Sequence, residues 1–109
     1  MTKIYAIDFD NTLAVTDYPN ILAPIDSVIQ YCMELHEQGH TLILWTCREG
    51  KDLYDAVSWC AERGLQFDYV NRNTPEIIEK FGDHRKIYAD FYIDDRAICP
   101  FLEVKIIGN

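Results

Sequence analysis

The amino-acid sequence alternates between short apolar segments and longer segments in which apolar residues recur every three or four positions. The short segments are rich in residues that favour β-structure. They predict strands at residues 3–8, 41–46, 65–70 and 88–93, with a further strand at residues 103–107 on an edge of the sheet. The segment 41–46 is apolar nearly throughout, which is typical of a strand that is covered on both faces.

The amphipathic segments between the strands predict three helices. The first is expected to carry Pro24 in its first turn, where proline fits well, and to end at Gly39. The second ends at Gly64, and the third begins at Pro75 behind Thr74, whose side chain can cap it. The apolar positions that define the first two helices are Ile25, Val28, Ile29, Cys32 and Leu35, followed by Leu53, Ala56, Val57 and Cys60.

Residues 10–23 contain several residues that break regular structure, and we predict them to be irregular. At most, this segment forms a small hairpin flap with Tyr18 and Pro19 near its tip. Neither residues 10–23 nor residues 71–85 form a segment long enough to build a core of its own, so no separate cap domain is expected. The order of strands and helices predicts one α/β domain over residues 1–109, with a parallel, doubly wound sheet in three layers as in Rossmann-like proteins.

Composition narrows the classes of function. Hydrophobic residues make up 49% of the chain, which is enough for a core. The net charge of −8 argues against a protein that binds nucleic acid through its phosphates, since such binding needs a basic surface. No segment predicts a signal peptide or a membrane span. The four cysteines form no C-x-x-C pair, so we interpret them as reduced thiols of a cytoplasmic protein and expect no disulfide or zinc site.

Polar side chains stand at the ends of three predicted strands. Asp8 ends the first strand and Asp10 comes just after it, Thr46 ends the second, and Asp94 and Asp95 follow the fourth. Ligands of parallel sheets bind at the carboxyl ends of the strands, so these side chains are expected to converge there. Four carboxylates at one place would repel one another unless a cation were bound. Oxygen ligands without histidine or cysteine favour Mg²⁺.

Each of these motifs is weak by itself. Asp-x-Asp often marks a solvated turn, Asp-Asp occurs by chance, and threonine at a strand end is commonly a β-former or a cap. The prediction depends on order and placement together. One apolar strand runs into Asp-x-Asp-x-Thr, a second ends in Thr, and a later one runs into Asp-Asp.

With these motifs in that order, the sequence resembles the haloacid dehalogenase superfamily. Residues 6–13, Ala-Ile-Asp-Phe-Asp-Asn-Thr-Leu, match its first motif. Residues 42–46 match its second motif, an apolar strand that ends in Thr or Ser, and residues 92–95 match its fourth. The third motif is only a Lys or Arg ahead of the fourth strand. Its candidates, in order of preference, are Lys86, Arg85 and Lys80. The resemblance covers almost the whole chain except the C-terminal tail.

The resemblance implies a phosphatase that works through a phosphorylated aspartate. Asp8 would be the nucleophile that takes the phosphoryl group. Asp10 would protonate the leaving oxygen and then activate water, with its pKa raised by the nearby carboxylates. Thr46 and Lys86 would hold the phosphoryl oxygens. Superfamily members that cleave carbon–halogen bonds or phosphonates lack an aspartate at the position of Asp10, so its presence favours phosphate esters.

The resemblance also implies a Mg²⁺ site. Its ligands would be the Asp8 carboxylate, the backbone carbonyl of Asp10 and the Asp94 carboxylate. Asp95 is either a further ligand or an outer partner of one.

Arg48 follows Thr46 closely and has two interpretations. It either reaches a substrate phosphate, or it caps or solvates the helix that follows it.

Two other functions stay open at this point. One is a binding or regulatory protein that keeps the metal site without turnover, and the other is an enzyme that acts on phosphorylated nucleic-acid ends. The negative charge disfavours the second. The expected partner is a phosphorylated small molecule or macromolecule. No membrane contact is expected, and the oligomeric state is left open.

Overall fold

The structure, a computed structural model, describes residues 1–96. These residues form a four-stranded parallel sheet, a two-stranded antiparallel hairpin and three helices. The strands are β1 (Ile4–Ile7), β2 (Ala14–Asp17), β3 (Asn20–Pro24), β4 (Thr41–Leu44), β5 (Tyr69–Val70) and β6 (Phe91–Ile93). The helices are α1 (Asp26–Glu37), α2 (Gly50–Glu62) and α3 (Pro75–Phe81). The strand predicted at residues 103–107 lies outside the described residues.

The sheet has the order β5-β4-β1-β6, so β1 lies between two partners. Tyr5 of β1 pairs with Leu42 of β4 on one side and with Phe91 of β6 on the other. Parallel neighbours need long connections, and helices supply two of them here. The parallel sheet with its flanking helices confirms the predicted α/β class and is compatible with a Rossmann-like fold. Within residues 1–96, no helix is long and apolar enough to cross a membrane.

Side chains alternate across the strands and divide the core between the two faces of the sheet. The larger cluster contains Tyr5 and Ile7 of β1 with Leu42 and Leu44 of β4, and it is completed by buried side chains of α1 and α2. These helix residues are Ile29, Cys32, Leu35, Ala56 and Cys60. All of them belong to the two predicted apolar stripes, so helical periodicity identified the buried sides of both helices.

The opposite face of the sheet carries a smaller cluster. Ala6 of β1 and Ile43 of β4 pack there with Ile87, and Trp45 and Tyr69 lie against them. Helices α1 and α2 therefore share the first face, whereas the second face receives residues from the segment that precedes β6.

Residues 10–23, which were predicted to be irregular, contain all of the hairpin of β2 and β3 except its last residue, Pro24. Its tip is formed by Tyr18 and Pro19, as expected for the small flap. The base is anchored because Ala14 is buried and Ile21 packs against the main core. Most other hairpin residues are exposed, so the two strands lack the apolar alternation by which a strand is usually recognised.

The predicted position of Pro24 in the first helix is wrong. Pro24 is the last residue of β3 and pairs with Ala14, and α1 begins at Asp26. The Ile25 N–H donates to the Leu13 carbonyl oxygen at 2.9 Å, which ties the chain to the base of the hairpin before the helix starts. Proline has no N–H to donate, and the end of an edge strand tolerates that loss as well as a first helical turn does.

Strands β5 and β6 are shorter than predicted, because an aspartate side chain closes the start of each. The Leu42 N–H donates to Asp68 Oδ2 at 2.8 Å, and the Asp68 N–H donates back to the Leu42 carbonyl at 2.9 Å. Ile4 and Asp90 make the same exchange, at 2.7 and 2.8 Å. A carboxylate thus takes the place of a strand carbonyl at both positions, which the apolar pattern does not reveal.

Candidate active site

The carboxyl ends of β1, β4 and β6 open onto one cleft with a volume of about 280 Å³, here called the acidic cleft. Its lining residues are Asp8, Asp10, Asn11, Thr46, Cys47, Asp94, Asp95 and Arg96. The five residues that the strand ends were predicted to deliver are all among them. The parallel order of the three strands is what brings them together.

Three carboxylates lie against one another in the acidic cleft. Asp8, Asp94 and Asp95 each offer an oxygen, and these atoms all lie within 4.8 Å of one another. Burial and the negative charge of Asp94 raise the pKa of Asp8 to about 6, although hydrogen bonds from Thr12 and the Phe9 backbone oppose the rise. A bound cation would relieve this repulsion. Hard cations such as Mg²⁺ prefer carboxylate oxygens, so the donor set fits the ion predicted from the sequence.

Thr12 joins the end of β1 to the end of β6. Its buried hydroxyl donates to Asp8 Oδ2 at 3.2 Å and accepts the Asp95 N–H at 3.1 Å. The Phe9 carbonyl oxygen closes the loop beneath it by accepting the N–H groups of Thr12 and Leu13 at 3.2 and 3.0 Å. Thr12 therefore links the Asp8 carboxylate to the backbone of Asp95, which comes from a different strand end.

The Asp10 carboxylate faces a cation that the chain itself supplies. Arg48 Nη2 lies 2.8 Å from Asp10 Oδ1 and Arg48 Nε lies 3.0 Å from Oδ2, so the guanidinium binds both oxygens. Thr16 Oγ1 also donates to Oδ1 at 2.8 Å. Burial raises the pKa of Asp10, but the hydrogen bonds from Arg48 and Thr16 outweigh it and hold the pKa below its usual value. The expectation that neighbouring carboxylates raise this pKa is wrong, because Asp10 turns toward Arg48.

Arg48 itself is buried, with 2% of its surface exposed. Its Cζ lies 5.0 Å from the ring centroids of both Phe9 and Tyr18. Arg48 is therefore not a solvated side chain ahead of α2; its guanidinium is enclosed, and Nη1 contacts that helix by donating to the Asp52 carbonyl oxygen at 3.3 Å. Contact between Arg48 and a substrate phosphate stays a prediction, and in this structure the guanidinium is bound to Asp10.

Thr46 is held through both its backbone and its hydroxyl. Its N–H donates to Asn71 Oδ1 at 2.8 Å, and its Oγ1 accepts the Arg48 N–H at 3.1 Å. Asn71 has a φ of 52°, in the left-handed region that asparagine adopts more readily than most residues. Sequence reasoning missed this role of Asn71. Its one signal was an asparagine directly after a strand, which indicates a turn and does not reveal a partner elsewhere in the chain.

Lys86 is exposed and lines a different cavity, of about 490 Å³, between α3 and the segment that precedes β6. Its Nζ lies 6.0 Å from the ring centroid of Tyr92. Arg85 is exposed on the same segment, and Lys80 lies on α3 with its Nζ 5.6 Å from the ring of Phe81. The structure therefore does not bring Lys86 into the acidic cleft as it does Thr46, and contact between Lys86 and a phosphoryl oxygen stays a prediction.

Asn73 fixes the segment that carries Lys86. Its side chain is buried; Oδ1 accepts the Tyr88 N–H at 2.6 Å and Nδ2 donates to the His84 carbonyl oxygen at 3.3 Å. A buried amide with partners on both sides of Lys86 determines the path of this segment. This role, too, could not be found from the sequence, where Asn73 is one of several turn formers after the third strand.

The chain is similar to a conserved protein of Bacteroides thetaiotaomicron whose structure is known. The two chains are 36% identical and superpose with a TM-score of 0.79. The match covers 99% of this chain and 92% of the Bacteroides chain. No protein-family model and no curated protein matches the chain. Identity at this level over nearly the whole length of both proteins shows common descent, and the chain belongs to the family of this conserved Bacteroides thetaiotaomicron protein.

Proposed function

We propose that the chain is a magnesium-dependent phosphatase of the haloacid dehalogenase type, which hydrolyses phosphomonoesters through an aspartyl-phosphate on Asp8. The observation that carries the proposal is the acidic cleft. There Asp8, Asp94 and Asp95 form an oxygen-only cluster beside Asp10, at the carboxyl ends of three parallel strands. The reaction needs these two features side by side, a cluster that favours a cation and a separate carboxylate that moves protons.

In the first half-reaction, an oxygen of Asp8 attacks the phosphorus atom and the bond from phosphorus to the leaving oxygen breaks. The leaving oxygen takes a proton from Asp10, and Asp8 becomes an acyl phosphate. Thr12, which donates to Asp8 Oδ2, orients the attacking carboxylate. Thr46 lines the same cleft, where its hydroxyl can donate to a phosphoryl oxygen.

In the second half-reaction, water gives a proton to Asp10 and attacks the phosphorus atom. The bond from phosphorus to Asp8 breaks, so that the carboxylate is restored and inorganic phosphate leaves. The ion pair with Arg48 keeps Asp10 ionised in the substrate-free protein, as a general base requires. The first half-reaction needs Asp10 protonated, and the negative charge of a phosphate beside it favours that proton.

Bound Mg²⁺ would neutralise charge on the phosphoryl oxygens. The residues that would hold it are Asp8 and Asp94, with the backbone carbonyl of Asp10 and with Asp95 as a ligand or outer partner.

We further propose that the fold is three-layered, doubly wound and without a cap, and that the protein is cytoplasmic. An uncapped cleft offers few contacts to a small substrate. We therefore expect broad activity on small phosphomonoesters, or a bulky phosphorylated partner that covers the cleft itself.

The test is a screen of phosphomonoesters with Mg²⁺ that includes sugar phosphates, aryl phosphates, phosphopeptides and oligonucleotides with phosphorylated ends. We expect hydrolysis that stops in excess chelator and returns when Mg²⁺ is added. After an acid quench, mass spectrometry should find the phosphoryl group on Asp8. Asp55→Asn is the matched control for Asp8→Asn, because Asp55 lies on α2 and pairs with the exposed Lys51.

The outcomes separate the three functions. Hydrolysis that persists fully in excess chelator would show that the metal assignment is wrong. Calorimetric binding of Mg²⁺ without turnover of any phosphomonoester would favour the non-catalytic regulatory protein. Hydrolysis restricted to the oligonucleotides would favour the nucleic-acid end phosphatase.

A further inference from the structure

Arg48 is the largest of the fully buried side chains that the structure describes. A buried guanidinium is costly unless its charge and its donors are paired. Asp10 supplies the charge and accepts two hydrogen bonds. The carbonyl oxygens of Pro19 and Asp52 accept two more, at 3.2 and 3.3 Å. The position of this side chain is therefore fixed by polar contacts from three separate elements rather than by apolar packing alone.

The tip of the hairpin is held at the same guanidinium. Arg48 Nη2 donates to the Pro19 carbonyl oxygen, and the ring of Tyr18 lies 5.0 Å from Arg48 Cζ. The Tyr18 hydroxyl donates in turn to Asp52 Oδ2 at 3.1 Å on α2. Tyr18 is otherwise 60% exposed, so these polar and cation–π contacts, and not burial, hold the tip against the rest of the protein.

We propose that Arg48 is a positioning residue that acts as a latch, fixing the hairpin tip and the Asp10 carboxylate in a single arrangement. Nη2 donates both to Asp10 Oδ1 and to the Pro19 carbonyl, so one nitrogen holds the tip and the carboxylate together. The catalytic part of this inference rests on the proposed function, in which Asp10 transfers protons. The structural part, the coupling of the tip to Asp10 through Arg48, stands on the contacts alone.

The catalytic part is tested with leaving groups of different quality. Arg48→Met keeps the apolar stem and removes the donors. The value of kcat/KM reports the steps through transfer of the phosphoryl group to Asp8. For alkyl phosphates, whose leaving oxygen needs a proton, we expect kcat/KM to fall about 10²-fold. For p-nitrophenyl phosphate, whose leaving group departs without one, we expect a fall of less than about tenfold.

Two further variants make this comparison specific. Arg63→Met is the matched control, because Arg63 is exposed at the end of α2 with its Cζ 3.7 Å from the ring of Trp59. It should leave the ratio of the two substrates unchanged. Arg48→Lys keeps the charge but cannot make the bidentate hydrogen bonds, so it should restore the ratio of the two kcat/KM values only in part. An equal loss of kcat/KM for both substrates in Arg48→Met would overturn the positioning role.

The structural part is tested by hydrogen exchange, which needs no turnover. Arg48→Met and Asp10→Asn should each speed exchange in peptides that cover residues 14–24, and the double variant should exchange no faster than the faster single variant. Unchanged exchange in Arg48→Met, or fully additive effects, would show that no latch exists. If the wild-type protein hydrolyses no phosphomonoester, the proposed function fails, and the exchange data still decide whether Arg48 couples the hairpin tip to Asp10.

Tyr18→Leu provides the same test without disturbing a buried charge, in case Arg48→Met does not fold. It removes the ring and the hydroxyl from the exposed tip and leaves the pair of Arg48 and Asp10 in place. We expect faster exchange at the tip and a smaller change of the leaving-group ratio in the same direction. Wild-type values for both measurements would overturn the proposal.

Discussion

Asp8 and Asp10 are two residues apart, and their carboxylates lie in opposite electrostatic surroundings. Asp8 lies beside Asp94 and Asp95, and burial together with the charge of Asp94 raises its pKa to about 6. Asp10 accepts hydrogen bonds from Nε and Nη2 of Arg48 and from the Thr16 hydroxyl, which hold its pKa below the usual value against the effect of burial. Within residues 1–96, one short motif therefore presents one carboxylate that lies among other carboxylates and one that is paired with a guanidinium.

This difference shows what each carboxylate still requires. The chain gives Asp10 a fixed cation, so Asp10 is stable and oriented in the substrate-free protein. The cluster at Asp8 would gain stability from a cation that comes from solution. Removal of the two carboxylates should therefore have different consequences for turnover, for metal binding and for stability, and each of these can be measured separately.

The largest expected effect is on turnover in Asp8→Asn. An amide does not act as the nucleophile at neutral pH, so we expect kcat to fall by at least about 10⁴-fold with any substrate that the wild type hydrolyses. Release of inorganic phosphate measures it, with circular dichroism to show that the variant is folded. Substantial activity in a folded Asp8→Asn protein would show that the covalent mechanism is wrong.

A smaller loss is expected for Asp10→Asn. The cluster around Asp8 stays in place, and only proton transfer is lost, which is typically worth about 10²–10⁴-fold. Both formation and hydrolysis of the phosphorylated Asp8 should slow, and rapid-quench measurements of the two steps distinguish them. If Asp10→Asn reduced turnover as much as Asp8→Asn, the division of tasks between the two residues would be incorrect.

A third effect concerns metal binding alone. Asp94→Asn should weaken Mg²⁺ binding by more than the roughly 10–100-fold that is typical of an outer partner, since it removes a carboxylate that would hold the ion directly. Asp10→Asn should change the affinity much less, because its side chain is turned toward Arg48 and its expected ligand is a backbone carbonyl. Calorimetric titration with Mg²⁺ checks both variants without substrate. Equal weakening in the two variants would indicate that the Asp10 side chain belongs to the metal site.

The apolar pattern was sufficient to predict the residues of the sheet core and the buried sides of α1 and α2. Strand ends carry polar groups at fixed places in a parallel sheet, so the convergence of Asp8, Thr46 and Asp94 also followed from local sequence. These features depend on periodicities of two and of 3.6 residues, which burial imposes directly on the order of residues along the chain. Their prediction needed no knowledge of long-range contacts.

Features that depend on single long-range polar contacts could not be predicted in this way. Arg48 was expected on the surface or at the substrate, because nothing near it in the sequence indicates that Asp10 and Tyr18 would enclose it. The pKa of Asp10 was expected to rise for the same reason. Asn71, which binds the Thr46 amide, resembles any turn residue until the sheet is assembled. Prediction of a site's residues was thus easier than prediction of their charge states.

The smallest expected effect is on stability, and it has opposite signs for the two carboxylates. In metal-free protein the folded state keeps a proton on Asp8 up to about pH 6, whereas the unfolded chain loses it near pH 4. The folded state thus binds more protons between these values, so the contribution of Asp8 to stability falls as the pH rises through this window. The free energy of unfolding of Asp8→Asn should therefore match that of the wild type below about pH 4. At pH 7 it should exceed the wild-type value by about 1 kcal/mol, after allowance for solvent screening of a half-exposed group.

Asp10→Asn should instead be less stable than the wild type at pH 7, because a lowered pKa means that folding favours the ionised form. Urea unfolding from pH 4 to pH 7 in chelator measures both, and added Mg²⁺ should reverse the order of the wild type and Asp8→Asn. A gain in Asp8→Asn that did not change with pH, or that Mg²⁺ left unaltered, would contradict the contrast between the two carboxylates.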